Sequence, residues 1–195
     1  MKLRELTEAE LDMLYRGELT RAFPQTERRP LSSIRKLRGQ GCYDVLGAVL
    51  ETEIAGYAFL WRGNDDTLAL LDYLGVVEGL RGQGLGTELL SLVCGRYIPH
   101  MPLLAEVEAP QAQTEPERHV QRRRLEFYRR SGFSYAGFDA RLFGVHYRML
   151  KGGTGEANFL REGYERLYRS QLPGPLYRKF VQTTRMDAGI GGMEV

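Results

Sequence analysis

The chain has little of what would tie it to metals, disulfides, membranes or nucleic acid. Its two cysteines, Cys42 and Cys94, lie far apart in sequence and in apolar surroundings. Two buried thiols in a reducing compartment are therefore expected, rather than a disulfide. The three histidines, His100, His119 and His146, have neither the i, i+4 spacing nor the cysteine company of a zinc site, so no metal is expected. No apolar run approaches the ~20 residues needed to cross a bilayer, and no charged-then-apolar segment opens the chain, so a cytoplasmic protein without a membrane partner is expected. Excess charge is missing too. Lys and Arg number 27 against 25 Asp and Glu, for a formal net charge of +2, which does not suggest a nucleic-acid binder.

What is present is an ordinary globular composition, 43% hydrophobic over 195 residues, enough for one compact domain with a small appendage. The most informative stretch is Val76-Val77-Glu78-Gly79-Leu80-Arg81-Gly82-Gln83-Gly84-Leu85-Gly86-Thr87, where an apolar strand ends in three alternate glycines and opens into a helix. Without side chains at Gly82, Gly84 and Gly86, backbone N–H groups can approach an anion closely, and the helix N-terminus adds unpaired donors and its positive dipole end. Arg81 adds a full charge beside them.

Spacing separates the phosphate-binding devices that use glycine in this way. A P-loop needs Gly-x-x-x-x-Gly-Lys-Ser/Thr, and here Leu85 follows Gly84 with no lysine in the turn. The dinucleotide fingerprint Gly-x-Gly-x-x-Gly differs from the Gly-x-Gly-x-Gly found here, although Glu106 about twenty positions on keeps that reading open. The third pattern, Arg/Gln-x-x-Gly-x-Gly/Ala after a strand, is matched without a gap by Arg81-Gly82-Gln83-Gly84-Leu85-Gly86. This resembles the acetyl-CoA pyrophosphate loop of the GNAT superfamily of N-acetyltransferases. A second motif agrees in order and separation: Leu125-Glu126-Phe127-Tyr128-Arg129-Arg130-Ser131-Gly132-Phe133 resembles the aromatic-Tyr pair that ends a helix before Gly-Phe in that superfamily.

The resemblance covers roughly residues 1–150. It implies an α/β protein with the GNAT acyl-CoA N-acyltransferase fold, a central mixed, mostly antiparallel sheet of about six to seven strands flanked by helices. Residues 1–150 are expected to form the acetyltransferase domain, and residues 151–195 a C-terminal helical extension and tail.

The local signals agree with that order. After a short strand over Lys2–Leu6, Thr7-Glu8-Ala9-Glu10 reads as a capping box for a helix reaching about Phe23. Leu31 to Arg38 reads as a second helix stopped by Gly39. Tyr43 to Leu50, Ile54 to Trp61 and Leu68 to Val77 read as a meander, with a turn at Gly63-Asn64-Asp65-Asp66. Leu85 to Tyr97 is a helix with Leu89, Leu90, Leu92 and Val93 facing the core, and Leu103 to Val107 is a fifth strand. Ala109 to Arg118 reads as a long loop, followed by a helix over His119–Arg130 and strands over Phe133–Phe138 and Val145–Leu150. Phe159, Leu160, Tyr164, Leu167 and Tyr168 recur at helical spacing. Pro173 and Pro175 break the chain before a short Leu176 to Val181 segment, and Thr183 to Val195 is expected to be poorly ordered or held by a partner.

The resemblance also implies a site. Gly82, Gln83, Gly84, Leu85, Gly86 and Thr87 would hold the pyrophosphate of acetyl-CoA with Arg81 beside them, and Val76 and Val77 would pair with the pantetheine arm as an added strand does. The N–H of Leu74 would polarise the acetyl carbonyl. Tyr128, with a reference pKa near about 10, would return a proton to a thiolate whose reference is about 8.5. An alkylamine is mostly protonated at neutral pH, so a carboxylate must take a proton directly or through water. Glu106 matches the catalytic glutamate of the ribosomal-protein alanine acetyltransferases in that superfamily, with Glu108 on its face and Asp72 on the adjacent strand as alternatives. Where the superfamily often has asparagine before the aromatic-Tyr pair, this chain has Gln121 and Arg124, and Gln121 remains a candidate for the pantetheine side.

Arg122-Arg123-Arg124 with Arg129-Arg130 reads first as a solvated basic face, with contact to the 3′-phosphate of CoA and then to RNA as the alternatives. The expected function is transfer of acetyl from acetyl-CoA to a primary amine of a small molecule or peptide, by direct attack in a ternary complex. The acceptor itself is not legible, although Asp72, Glu106 and Glu108 favour a cationic one. A non-catalytic acyl-CoA-binding module or sensor is the alternative, distinguished by absence of turnover. A dinucleotide-dependent oxidoreductase would need a doubly wound parallel sheet instead of the meander. The C-terminal helix is a candidate to cover the acceptor site or to build a homodimer.

Overall fold

Strand and helix boundaries follow the local chemistry over most of the chain. The computed structural model describes residues 1–63 and 65–185, which divide into two compact units, Met1–Leu103 and Leu104–Val195. The first unit begins with β1 (Lys2–Glu5) and α1 (Glu8–Leu14). The expected capping box is formed: the Thr7 hydroxyl accepts from the Glu10 N–H at 3.3 Å, and the Thr7 N–H donates to Glu10 Oε2 at 2.8 Å. The helical run continues through a π-helical turn over Tyr15–Leu19 into α2 (Thr20–Ala22), and stops at the extended Phe23 before Pro24. The π turn was not expected, because a single wide turn leaves almost no trace in hydrophobic spacing. α3 (Leu31–Gly39) follows Pro30 and buries Ile34 and Leu37.

β2 (Tyr43–Leu50), β3 (Glu53–Trp61) and β4 (Ala69–Val76) form the expected antiparallel meander, with β1 paired to β2. Asn64 of the expected turn lies outside the described residues. In β4, Tyr73 pairs with Phe59 and Leu71 with Leu60, so Asp72 is the extra residue of a β-bulge. α4 (Leu85–Tyr97) packs against β1, β3 and β4 and buries Leu89, Leu90, Val93 and Tyr97, with Leu92 half-buried. Each such leucine is worth about 1.5–3 kcal/mol when fully withdrawn from water.

The second unit holds β5 (Leu103–Glu108), whose first residue closes the first unit, then α5 (Glu115–Arg130), β6 (Ser134–Leu142) and β7 (Val145–Gly152). α6 (Ala157–Gln171), α7 (Gly174–Phe180) and β8 (Val181–Arg185) complete it, with strand order β5-β7-β6-β8. α6 lies on β6 and β8 and buries Leu160, Tyr164, Leu167 and Tyr168.

Two expectations are corrected. α5 starts four residues earlier than its apolar spacing suggests, because its first turn is set by Glu115, Pro116 and Glu117 after the extended Thr114. Thr183 to Arg185, expected in a loose tail, belong to β8, where Thr183 pairs with Ala140 and Thr184 with Asp139. Residues 186–195 of that expected tail lie outside the described residues. With β8, the strands among the described residues number eight, against the six to seven expected.

Candidate active site

In the first unit, β4 ends at Val76 and the chain makes a 3-10 turn over Glu78–Leu80 before the glycine run. Gly82 and Gly84 have φ of 82° and 80°, and a Cβ on either would meet nothing within 4 Å. Backbone conformation, not crowding, therefore demands glycine there, and the space over the turn is open. Gly84 caps α4 without any side-chain hydrogen bond, its carbonyl accepting from Thr87 at 3.0 Å and Glu88 at 3.3 Å. Among the described residues, no backbone hydrogen bond outside regular helices and strands is donated by Gly82, Gln83, Gly84, Leu85 or Gly86. Consecutive unspent donors at a helix N-terminus suit a phosphate, so the turn fits the pyrophosphate that the motif implies.

The Val77 N–H is committed to the Ala55 carbonyl at 3.0 Å, and the Val77 carbonyl already accepts from the Leu80 N–H at 2.9 Å. Leu74 and Val76 sit opposite Ala58 and Gly56 on β3. Arg81 folds back over the end of β4: its Nε donates to the Val76 carbonyl at 3.1 Å, and its Nη2 is 3.9 Å from Glu18 Oε2. Glu18, in the π turn, is 7% exposed, pairs with Arg21 and accepts from the Glu78 N–H at 3.2 Å. Sequence reading missed this carboxylate, and the only signal for it was a charge inside an otherwise apolar helical stripe.

Asp72 is committed elsewhere. Its Oδ2 accepts from Arg29 Nε at 2.9 Å and from the Tyr43 hydroxyl at 2.5 Å, and the Arg29 and Asp72 side chains are 13% and 11% exposed. The Arg29 guanidinium lies 4.3 Å from the centre of the Trp61 ring. Burial first, and then the Asp72 charge, push the Tyr43 phenol well above its usual range. Tyr43 and Trp61 are core residues, whereas Tyr15 and Phe23 are half-buried.

In the second unit, Glu106 is half-buried on β5 and its Oε1 accepts from the hydroxyls of Tyr164 at 2.7 Å and Tyr168 at 2.8 Å. Tyr164 is fully buried, and burial, followed by the Glu106 charge, holds its phenol well above its usual pKa. These tyrosines read in sequence as an apolar stripe, and their spacing of four, which puts both on one helix face, was the only available signal. Glu108 accepts from Gln121 Nε2 at 2.9 Å and lies 3.9 Å from Arg124. Gln121 also accepts from the Ala112 N–H at 3.1 Å, so its amide ties the loop before α5 to Glu108.

Tyr128 is half-buried near the end of α5. The helix stops when Gly132 turns left-handed at φ 87°, and the Phe133 N–H then returns to the Tyr128 carbonyl at 3.0 Å. The Tyr128 and Phe133 rings meet edge-on with centres 5.3 Å apart. The Gly-Phe pair thus positions the tyrosine that precedes it. Within the basic run, Arg122 pairs with Glu115 and Arg129 approaches Glu126 at 3.9 Å, as on a solvated face. Among the described residues, no group of three or more His, Cys, Asp or Glu is placed to hold a metal ion, and no helix is long and apolar enough to cross a membrane.

Residues 42–135 match the family model described as an acetyltransferase (GNAT) domain. No curated protein matches the chain. A solved GNAT-family protein from Bacteroides thetaiotaomicron is similar in fold, with a TM-score of 0.69 at 19% identity, covering 88% of this chain and 97% of that one. The ribosomal-protein-S18-alanine N-acetyltransferase of Escherichia coli is similar at a TM-score of 0.57 and 19% identity, over 80% of this chain and 96% of that one. Spermidine N-acetyltransferase of Vibrio cholerae, solved with CoA and spermine, is similar at 0.59 and 11% identity, over 82% and 97%.

Proposed function

We propose, from the match of residues 42–135 to the GNAT acetyltransferase domain, that the chain transfers acetyl from acetyl-CoA to a primary amine of a small molecule or peptide by direct attack in a ternary complex. The observation that carries this reading is the turn before α4, where Gly82 and Gly84 are left-handed and five successive amides donate no backbone hydrogen bond among the described residues, inside the segment that matches the family. Gly82 through Thr87 bind the pyrophosphate, with Arg81 at their edge. Val76 and Val77 offer main-chain groups to the pantetheine arm, the Val77 carbonyl alongside the Leu80 N–H from which it already accepts.

When bound, acetyl-CoA supplies the acyl group as a thioester. The Leu74 N–H donates to the acyl oxygen and favours the charge that develops there. Glu106 accepts a proton from the ammonium form of the acceptor, directly or through a water, so that a neutral nitrogen attacks. As the C–S bond breaks, the Tyr128 hydroxyl gives its proton to the leaving sulfur, and the second proton, lost from the attacking nitrogen as the amide forms, restores the phenol through solvent. Glu108 is a reserve for the base, whereas Asp72 is bound into its pair with Arg29. Cys42 and Cys94 are not joined by a disulfide, in keeping with the reducing, cytoplasmic setting proposed for the chain.

Spermidine and an alanine amine, after the names of two of the similar structures, a spermidine N-acetyltransferase and a ribosomal-protein-S18-alanine N-acetyltransferase, head the panel of acceptors. A second reading, a non-catalytic acyl-CoA-binding module, draws on the hydrogen bonds that Glu106 already accepts from Tyr164 and Tyr168. Calorimetric titration with acetyl-CoA, with NAD and NADP as controls, tests the first requirement. Binding of acetyl-CoA alone is expected. A folded sample that ignores acetyl-CoA sinks both readings, and binding without release of CoA thiol for any amine favours the module.

A further inference from the structure

Glu106 stands on β5, yet two of the groups that bind its carboxylate come from a helix much later in the chain. Tyr164 and Tyr168 are 58 and 62 residues beyond it, and both hydroxyls donate to the same oxygen, Oε1, at 2.7 and 2.8 Å. Their spacing of four sets the two rings on one face of α6, with centres 5.0 Å apart. The Phe138 ring on β6 backs Tyr164 at 5.8 Å, and Leu160 and Leu167 of the same helix are buried, so the helix is docked firmly enough to hold both phenols in place. We propose that Tyr164 and Tyr168 are positioning residues of the acyl-transfer site, which hold Glu106 in one orientation and in its ionised form.

The proposal rests on the reading of Glu106 as the base that takes the amine proton. Two O–H donors on one carboxylate oxygen stabilise its charged form more than the protonated form. Withdrawn from water beside a negative charge, the Tyr164 phenol resists ionisation and stays a donor across the range in which the enzyme would work. Fixing one oxygen also fixes where the other points, and orientation of a catalytic group is worth more than its basicity alone. In this arrangement the C-terminal segment beyond residue 150 is part of the catalytic apparatus.

The experiment is a carbon-13 NMR titration of the full chain labelled at its glutamate side-chain carboxyls, in which Glu106→Gln identifies the Glu106 signal. Tyr164→Phe or Tyr168→Phe is expected to raise the Glu106 midpoint by about one pH unit each, since hydrogen bonds to the charged form are lost. Unmoved midpoints in folded variants would overturn the proposal, because a purely structural role lowers the melting temperature and leaves the titration alone. Should Tyr164→Phe not fold, Tyr168→Phe carries the same test at a ring that is 6% exposed. Thiol release from acetyl-CoA with spermidine and with an alanine-initiated peptide separates the two ideas. Glu106→Gln as active as wild type removes the base reading and, with it, the catalytic purpose of the phenols. A deficient Glu106→Gln with unmoved midpoints removes the phenol clamp alone.

Discussion

Tyr57 on β3 is the register partner of Gly75 on β4, and its phenol covers that glycine so closely that a Cβ there would overlap the ring. Tyr57 is fully buried, and its hydroxyl has no hydrogen-bond partner among the described residues. Burial, followed by the Glu18 charge, pushes the phenol up to about 12. Two substitutions should then move stability in different directions. Gly75→Ala forces a rigid ring away from β4 and should cost about 1–3 kcal/mol, as overpacking does. Tyr57→Phe removes a buried hydroxyl that gains nothing from protein partners, and should leave the melting temperature unchanged or raised. Thermal unfolding of both variants checks this, and a large loss of stability in Tyr57→Phe would contradict it.

The pair Arg29 and Asp72 makes the opposite prediction for a residue that sequence spacing nominates as a base. Asp72→Asn removes the Asp72 charge from beside the Arg29 guanidinium, which is largely withdrawn from water, at a cost of about 3–5 kcal/mol. Activity lost in Asp72→Asn should follow the unfolded fraction and return on cooling. Replacing the pair together, Arg29→Met with Asp72→Leu, should recover much of the lost melting temperature. A variant that stays fully folded but inactive at every temperature would show that Asp72 has a direct chemical role.

The parts of the fold that could be read from sequence are those whose signals are local. α4 begins and ends where its glycines and periodic leucines place it, and β2 to β4 follow their apolar runs. β8 escaped because Val181-Gln182-Thr183-Thr184-Arg185 carries almost no apolar alternation, and its strand identity comes from pairing with β6 some forty residues away. The first turn of α5 escaped because apolar spacing was followed and the Thr-Glu-Pro-Glu start signal was not. At the site, main-chain features such as the Gly82 to Thr87 turn were legible because glycine spacing encodes backbone shape. The partners of Glu106, Asp72 and Glu108 were not, because each pairing joins side chains from distant segments.

The N-terminal capping box gives a pH-dependent prediction. Glu10 is lowered to about 2, first by its hydrogen bonds with Arg4 and then by the Thr7 N–H. A folded pKa below the unfolded value means that this group stabilises the fold above the unfolded pKa of about 4.3, and that the stabilisation fades as pH falls toward about 2. Glu10→Gln should therefore lower the melting temperature at pH 7, and the difference from wild type should shrink steadily below about pH 4. Because Arg4 and Glu10 are partly exposed, added salt should reduce the effect as well. Thr7→Ala should cost about 1 kcal/mol at neutral pH through loss of the cap. A Glu10→Gln difference that grows on acidification would reverse the sign and refute the assignment.

The left-handed glycines of the turn and the tyrosine of α5 should separate binding from chemistry. Gly84→Ala puts a Cβ on a residue at φ 80°, a strain of about 1–2 kcal/mol, although the side chain itself meets open space. Its damage should therefore appear as a tenfold or greater loss of acetyl-CoA affinity by calorimetry, of the order that such strain implies, with a smaller change in melting temperature. Tyr128→Phe keeps the ring that packs edge-on against Phe133 and removes only the hydroxyl. Acetyl-CoA affinity and melting temperature should be preserved, while the turnover of any accepted amine falls by about 10²–10⁴, the range for a lost general acid. If instead affinity falls with turnover intact, Tyr128 serves to hold the cosubstrate, and the proton for the departing sulfur must come from elsewhere.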